Sequence, residues 1–320
     1  MKKFNPLITV IIPNFNHAKY LKERIDSVLN QTYNNIEVFL LDDCSCDNSK
    51  EVLMSYKSSP LVKGIILNEK NSGSTFKQWQ KGFELAHGEY IWIAESDDYC
   101  DIHFLEILVD KLIDDTIAIV YSKSHLVDSH DKFIKRERGK GFTRYTGIDF
   151  IRKKMGCGNE IINASAVIFN KKCLSKIPND YNTYKAGGDY LFWIYLAEQG
   201  DVIFVHTPLN YFRQHSHKVT PNAAKTGLVF TEVIKIFSYL QDRGYLYGLN
   251  EHLAHGYFMW LISKTAFNDE QTRMSIYKIW SVKCNFPTLN KYLFLLKHCC
   301  DKLADYIQRV VFQYISTSPN

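Results

Sequence analysis

Nearly continuous apolar runs, Leu7 to Ile12, Ile36 to Leu41 and Tyr90 to Ala94, constrain this chain more than any other feature. A strand that is apolar at consecutive positions is covered on both faces, as in parallel sheets flanked by helices. Helical patterns lie between the runs. Asn16 caps a helix carrying Leu21, Ile25, Val28 and Leu29, and Asn48 opens a second through Val52, Leu53 and Tyr56. After a further strand at Val62 to Leu67, Asn71-Ser72-Gly73 turns into a helix carrying Phe76, Trp79, Phe83 and Ala86. Strands alternating with helices imply a parallel sheet with right-handed crossovers, so the strand carboxyl ends share one edge. Pro13 to Phe15, Asp42-Asp43 and Asp97-Asp98 each follow such an end and are gathered into the crevice where open α/β sheets bind ligands.

The Tyr90 run delivers Asp97 and Asp98 just past its carboxyl end. Paired carboxylates there suit a divalent cation that also needs phosphate oxygens, such as Mg²⁺ or Mn²⁺. The same residues also read as an acidic turn capping the helix that starts near Asp101. Glu95 beside them reads as a supporting or solvated group. Trp79, Trp92 and Trp193 read as packing residues. Beyond this point the pattern predicts a helix through Leu105, Leu108, Val109 and Leu112, then a strand at Ile117 to Tyr121. Asp128 to Arg144 is charged and glycine-punctuated, a loop over the crevice. A strand is expected at Ile161 to Phe169, an apolar helix opening at Gly187-Gly188-Asp189, and strands at Val202 to Val205 and Leu209 to Phe212, ending in Arg213-Gln214-His215.

From Ala223 the pattern turns to helices without strands, which places a catalytic domain at 1–222 and a helical extension at 223–320. Leu296, Cys300, Leu303, Ile307, Val310 and Tyr314 form one apolar stripe flanked by Lys297, Lys302 and Arg309. That stripe either packs on the domain or on a second copy, giving a homodimer, or lies on a membrane interface through residues 291–316. The 320 residues are 46% hydrophobic with a net charge of +5, a basic excess too small to argue for nucleic acid. Eight scattered cysteines without paired C-x-x-C spacing argue against zinc and for a reducing compartment. No signal-peptide core or membrane-length apolar run is visible, so the expectation is a cytoplasmic protein, peripheral at most to the membrane.

Taken in order, Ile8-Thr9-Val10-Ile11-Ile12-Pro13-Asn14-Phe15-Asn16, Leu40-Leu41-Asp42-Asp43, Asn71-Ser72-Gly73 and Gly88-Glu89-Tyr90-Ile91 running into Ser96-Asp97-Asp98 resemble the family 2 inverting glycosyltransferases. The resemblance covers about the first two thirds of the chain and implies the GT-A fold and a nucleotide-diphosphate sugar donor, with UDP favoured. It implies that Pro13 and Phe15 line a nucleobase pocket and that Asp43 accepts from the base. Asp97 would contact the ribose or sugar, and Asp98 would hold Mn²⁺ or Mg²⁺ on the diphosphate. Asp189 takes the place of the general base, although as the first acid of a helix it also reads as a cap. Arg213 and His215 match an Arg-x-His element that closes over the diphosphate, where His215 gives a metal bond or a hydrogen bond. The family's Ala-Arg-Asn segment is absent, which leaves Lys77 as the phosphate partner on that side. Cys44 and Cys46 stand where Gly and Thr are usual, and Gly188 where many members carry a second acid. The implied acceptor is a glycan or lipid-linked sugar. The competing reading is a catalytically silent module of the same shape that recruits partners through its helical tail.

Overall fold

A computed structural model describes residues 5–215 and 219–317, with side chains described over 5–215 and 222–302. The chain divides into two compact units, Met1–Ile151 with Glu160–Lys218, and Arg152–Asn159 with Val219–Asn320. The second unit thus takes in Arg152–Asn159, a segment the sequence pattern assigns to the catalytic domain.

The first unit is built on one ten-stranded sheet. β1 (Ile8–Asn14), β2 (Ile36–Asp42), β3 (Val62–Leu67) and β4 (Tyr90–Ile93) run parallel, joined by α1 (Ala18–Leu29), α2 (Ser49–Met54) and α3 (Thr75–Leu85). Every residue of β1, β2 and β4 is buried, as the continuous apolar runs require. Two of the polar exceptions pair with each other: Thr9 Oγ1 donates to Glu37 Oε1 at 2.5 Å, and Gly88 N donates to Thr9 Oγ1 at 2.8 Å. Gly88 is required there, because a Cβ would lie 2.6 Å from the Thr9 nitrogen.

β5 (Tyr99–Cys100), α4 (Phe104–Val109), β6 (Ile117–Val127), β7 (Phe133–Lys135), β8 (Phe142–Tyr145), α5 (Gly147–Phe150), β9 (Val167–Asn170), α6 (Gly188–Ala197) and β10 (Asp201–Arg213) complete this unit. The sheet order is β3-β2-β1-β4-β9-β6-β10-β5, with β7 on β6 and β8 on β10. β9 runs antiparallel to both β4 and β6, so β6 and β10 point the same way as β4 and bring their carboxyl ends to the same edge. Three elements differ from the sequence pattern. β9 begins six residues after Ile161, because the Asn163 side chain accepts from Ser165 N and winds Ala164–Ala166 into a 3₁₀ turn. The two expected strands at 202–212 are one strand whose register slips between Val205 and Pro208, where proline offers no N–H to the ladder. The expected loop at 128–144 contains the short strands β7 and β8.

The second unit comprises α7 (Val219–Lys225), α8 (Leu228–Asp242), α9 (Gly248–Lys264), α10 (Glu270–Ser281) and α11 (Pro287–Thr317). Trp280 is fully buried, with Phe258 at 4.6 Å and Phe237 at 5.5 Å between ring centroids. Such a side chain contributes about 3 kcal/mol or more by its burial. A Cβ at Gly256 would meet the Asn290 carbonyl at 2.0 Å, so a glycine lets α11 lie directly on α9. Of the expected stripe, Leu296 and Cys300 are exposed, and the side chains from Leu303 onward lie outside the described residues. Among the described residues no helix is long and apolar enough to cross a membrane.

Candidate active site at the strand carboxyl ends

The rim starts where β1 and β2 end. Pro13 is buried in the last turn of the ladder, opposite Leu41, whereas Phe15 stands 45% exposed. Asn14 Nδ2 donates to Asp42 Oδ1 at 2.8 Å, and Asp43 N donates to Asn14 O at 2.9 Å, which ties the two loops together. Asp42 accepts from Ser45 N and Ser45 Oγ, so it works as a turn residue. Cys44 takes φ 63°, the left-handed conformation that glycine adopts freely and that costs a β-carbon residue about 1 kcal/mol. Asp43 is buried; its Oδ1 accepts from Asn68 Nδ2 (2.7 Å), Ser72 N (2.9 Å) and Gln78 Nε2 (2.8 Å), and its Oδ2 from Ser72 Oγ (2.7 Å).

In the acidic turn after β4 the two adjacent aspartates face different ways. Asp98 is 1% exposed, accepts from Asn163 Nδ2 at 2.8 Å and from Arg213 N at 2.9 Å, and faces the fully buried Arg24 at 4.0 Å. The residue that the resemblance gives to the cation thus also anchors the turn to β10 and to the segment before β9. Its neighbour Asp97 turns to the rim, where its Oδ2 lies 2.9 Å from His215 Nε2. His17, in the loop between β1 and α1, brings Nδ1 to 2.9 Å from Ser96 Oγ. His17, Asp97 and His215 each offer a ligand atom within 4.8 Å of the others. Tyr20 stacks on the His215 ring at 5.6 Å and orders it.

Arg213, expected at a diphosphate, is 1% exposed and its charge is used within the protein. Its Nη1 donates to Asp97 O at 2.6 Å, and its Nη2 reaches Glu23 at 2.6 Å and Asp131 at 2.5 Å. It holds the turn from behind rather than opening to the crevice. Glu95 accepts from Trp79 Nε1 at 2.8 Å. Burial, then the adjacent Asp97 charge, push its carboxyl up to about 8, so near neutral pH it carries a proton.

Helix α3 connects these parts. Gln78 holds Asp43, Trp79 holds Glu95, and the Phe76 ring lies where a Cβ on Gly188 would come within 2.6 Å. A residue larger than glycine at 188 would also strike Tyr181 O at 2.5 Å, which explains why no second acid precedes Asp189. Asp189 sits in the first turn of α6, half-buried. Lys77 is exposed on α3, its Nζ donating to Ser72 O at 3.1 Å. Sequence reasoning missed His17, although its place two residues past Phe15 carried the signal, and Asn163, for which the sequence held none.

Two imidazoles and one carboxylate suit Mn²⁺ and later first-row ions better than Mg²⁺, which prefers oxygen ligands alone. The Ser96 contact at Nδ1 fixes the His17 ring, as the second contact of a ligating histidine usually does.

A model described as glycosyl transferase family 2 matches residues 9–175. The chain belongs to this family. Glycosyltransferase GlyG of Streptococcus pneumoniae is 32% identical over 160 residues, half of this family 2 chain and half of GlyG. The chain thus matches about half the length of that relative. S. aureus TarS in complex with UDP-GlcNAc aligns with a TM-score of 0.55 at 18% identity, over 86% of this chain and 72% of that one. Mannosyltransferase PcManGT from Pyrobaculum calidifontis, in complex with GDP-Man and Mn²⁺, aligns at 0.53 and 16% identity, over 94% of this chain and 89% of that one. At such identities the likeness is one of fold, the GT-A arrangement that the resemblance implied.

Proposed function

We propose that the chain moves a sugar from a nucleoside-diphosphate donor, UDP-linked by preference, to a hydroxyl acceptor, with a divalent cation held by Asp97, His215 and His17. The observation that carries this reading is the convergence of those three side chains within 4.8 Å at the ligand edge of the sheet. The TarS and PcManGT complexes support a nucleotide sugar and Mn²⁺ as the chemistry to test first. When bound, the cation supplies Lewis-acid stabilisation of the charge that builds on the leaving diphosphate.

The chain's own residues do the rest. Phe15 offers an open ring face for the base. Asp43 accepts from the base through Oδ2, whose one hydrogen bond comes from the rotatable Ser72 hydroxyl. Lys77 exchanges the Ser72 carbonyl for a phosphate oxygen. Arg213 positions Asp97 by gripping its carbonyl. Asp189 removes the acceptor proton as attack proceeds, and a single base with direct displacement inverts the anomeric centre. The acceptor is a hydroxyl of a glycan or of a lipid-linked sugar. In α11, Leu289, Tyr292 and Leu296 are exposed beside Lys291 and Lys297, a surface suited to an anionic bilayer that carries such a lipid. Loss of liposome flotation on Leu289→Glu with Leu296→Glu checks that assignment; unchanged flotation removes it.

The main test is calorimetric titration of UDP with Mn²⁺, with Mg²⁺ and with EDTA, followed by donor hydrolysis without acceptor. Mn²⁺-dependent binding that Asp97→Asn abolishes, together with slow hydrolysis, supports an enzyme. Binding that is indifferent to both the cation and Asp97 overturns the proposal, and binding without any turnover favours the silent module.

A further inference from the structure

We propose that the segment joining β7 to β8 is a docking track for an acidic acceptor glycan, one that carries carboxylates or phosphodiesters along its length, an assignment that rests on the transferase reading above. The observation that carries it is where the charge sits. The whole chain has a net charge of +5, and residues 132–142 hold +4 of it: Lys132, Lys135, Arg136, Arg138 and Lys140 against Glu137 alone. Acids and bases elsewhere in the chain nearly cancel. Neighbouring arginines are already paired, Arg213 with Asp131 and Arg144 with Asp114. Among the described residues no carboxylate comes within ion-pair distance of Arg136, Arg138 or Lys140.

A charge run is ordinarily a solvated loop, but this one is fastened to the sheet. Glu137 N donates to His125 Nδ1 at 3.1 Å, Lys123 Nζ to Arg138 O at 3.0 Å, and His206 N to Gly141 O at 3.0 Å, so the backbone is held at three points as it crosses from β6 to β10. Gly139 permits the close approach, since a Cβ there would lie 2.3 Å from the His206 carbonyl oxygen. The side chains alternate. Glu137 is half-buried and its carboxylate is taken up by Lys123 and Lys135, whereas Arg136, Arg138 and Lys140 are exposed. The one acid is thereby neutralised against the sheet, and three cations at alternate positions face solvent.

The track starts beside the rim. β7 pairs with Leu126 and Val127 at the end of β6, and Val127 O accepts from Gln214 N at 2.7 Å, so only that end of β6 separates β7 from Gln214-His215. A chain lying along the cations brings one of its ends to the rim that carries Asp97 and His215. An extended polyanion suits the segment better than a bilayer does. Residues 136–141 offer no apolar side chain to insert, and the Phe133 ring is covered by Arg136 at 4.0 Å. Concentrated charge of one sign steers and registers a partner of the other sign.

The probes are fluorescently labelled hexagalacturonate and a glycerol-phosphate hexamer, with maltohexaose as the neutral control, read by fluorescence anisotropy on the full chain with UDP and Mn²⁺ present. At least one acidic oligomer should bind, more weakly as salt rises, and maltohexaose should not. Binding of either acidic oligomer supports the track, and the preference between them identifies the acidic group. Arg136→Gln with Arg138→Gln and Lys140→Gln should lower that affinity about tenfold, the sum expected of three exposed ion pairs. Melting temperature and UDP affinity should hold, because all three side chains are at the surface. Lys63→Gln with Lys172→Gln and Lys278→Gln removes the same charge from other exposed positions and should change the affinity by less than about twofold. Equal losses from the two triple variants, binding of neither acidic oligomer, or equal binding of maltohexaose overturns the track. Displacement of the oligomer by phosphatidylglycerol vesicles or by oligo-dT at a lower concentration of charge assigns the segment to a bilayer or to nucleic acid and likewise overturns it. Failure of UDP to bind the wild-type protein instead overturns the transferase reading, and the two failures are thereby told apart.

Discussion

Replacing Asp98 by Asn should weaken the fold of the first unit rather than cation binding. The carboxylate is 1% exposed and faces Arg24, which is fully buried and has no hydrogen-bond partner for either Nη atom among the described residues. Asn preserves the shape but removes the only charge change at issue, leaving the guanidinium uncompensated. Breaking a buried pair costs about 3–5 kcal/mol, and the 4.0 Å separation places this one at the lower end. For a unit of this size about 3 kcal/mol corresponds to a fall of roughly 6–12 °C in melting temperature. Thermal unfolding followed by circular dichroism reads the change, and Mn²⁺ titration monitored by electron paramagnetic resonance reads cation affinity at a temperature where both proteins are folded. Arg24→Met in the Asp98→Asn background should recover most of the loss, because the stranded charge is gone. A variant that melts within 2 °C of the parent, roughly a surface-sized effect, yet no longer binds Mn²⁺ would refute the division of labour between the two aspartates.

Asp189→Asn should leave UDP affinity within twofold and lower transfer by about 10²–10⁴-fold, the range for a lost general base; equal loss of both would assign Asp189 to the donor. Glu95 gives a pH signature. Its folded pKa of about 8 lies above the ordinary carboxyl value, so the native state holds a proton the unfolded chain has released, and stability falls as pH rises from about 4.5 to about 8. Urea unfolding across that window should show a shallower decline in Glu95→Gln, and parallel curves would remove Glu95 as the cause. Gly88→Ala should destabilise by more than about 2 kcal/mol, since its Cβ would press on the Thr9 nitrogen and the Leu7 carbonyl; a neutral melting curve would contradict that contact.

The parallel half of the sheet was legible because β1, β2 and β4 are buried on both faces, and continuous apolar runs are what such burial demands. β9 was misjudged in extent because hydrophobic pattern does not register a side-chain cap such as Asn163. β10 was split in two because Pro208 reads as a break in sequence, whereas the sheet absorbs it as a register slip. At the site, the motif order identified the acidic turn but not the direction of each carboxylate. Direction is set by Arg24 and Asn163, which are distant in sequence and carry no pattern that marks them as partners. Arg213 illustrates the same limit, since Glu23 and Asp131 claim its charge from two other segments. His17 was within reach, because it follows the rim of β1 directly.

Helix α3 grips three separate loops through Phe76, Gln78 and Trp79, and is itself seated against β1 where a Cβ on Gly82 would strike Ile11 at 2.5 Å. It therefore behaves as a clamp with one hinge pin: whatever shifts its seat moves the rim at Asp43, the turn at Glu95 and the start of α6 in concert. Swapping this stretch alone between related chains would set three loops to a foreign spacing at once. Working chimeras should be those that exchange the clamp together with everything it grips.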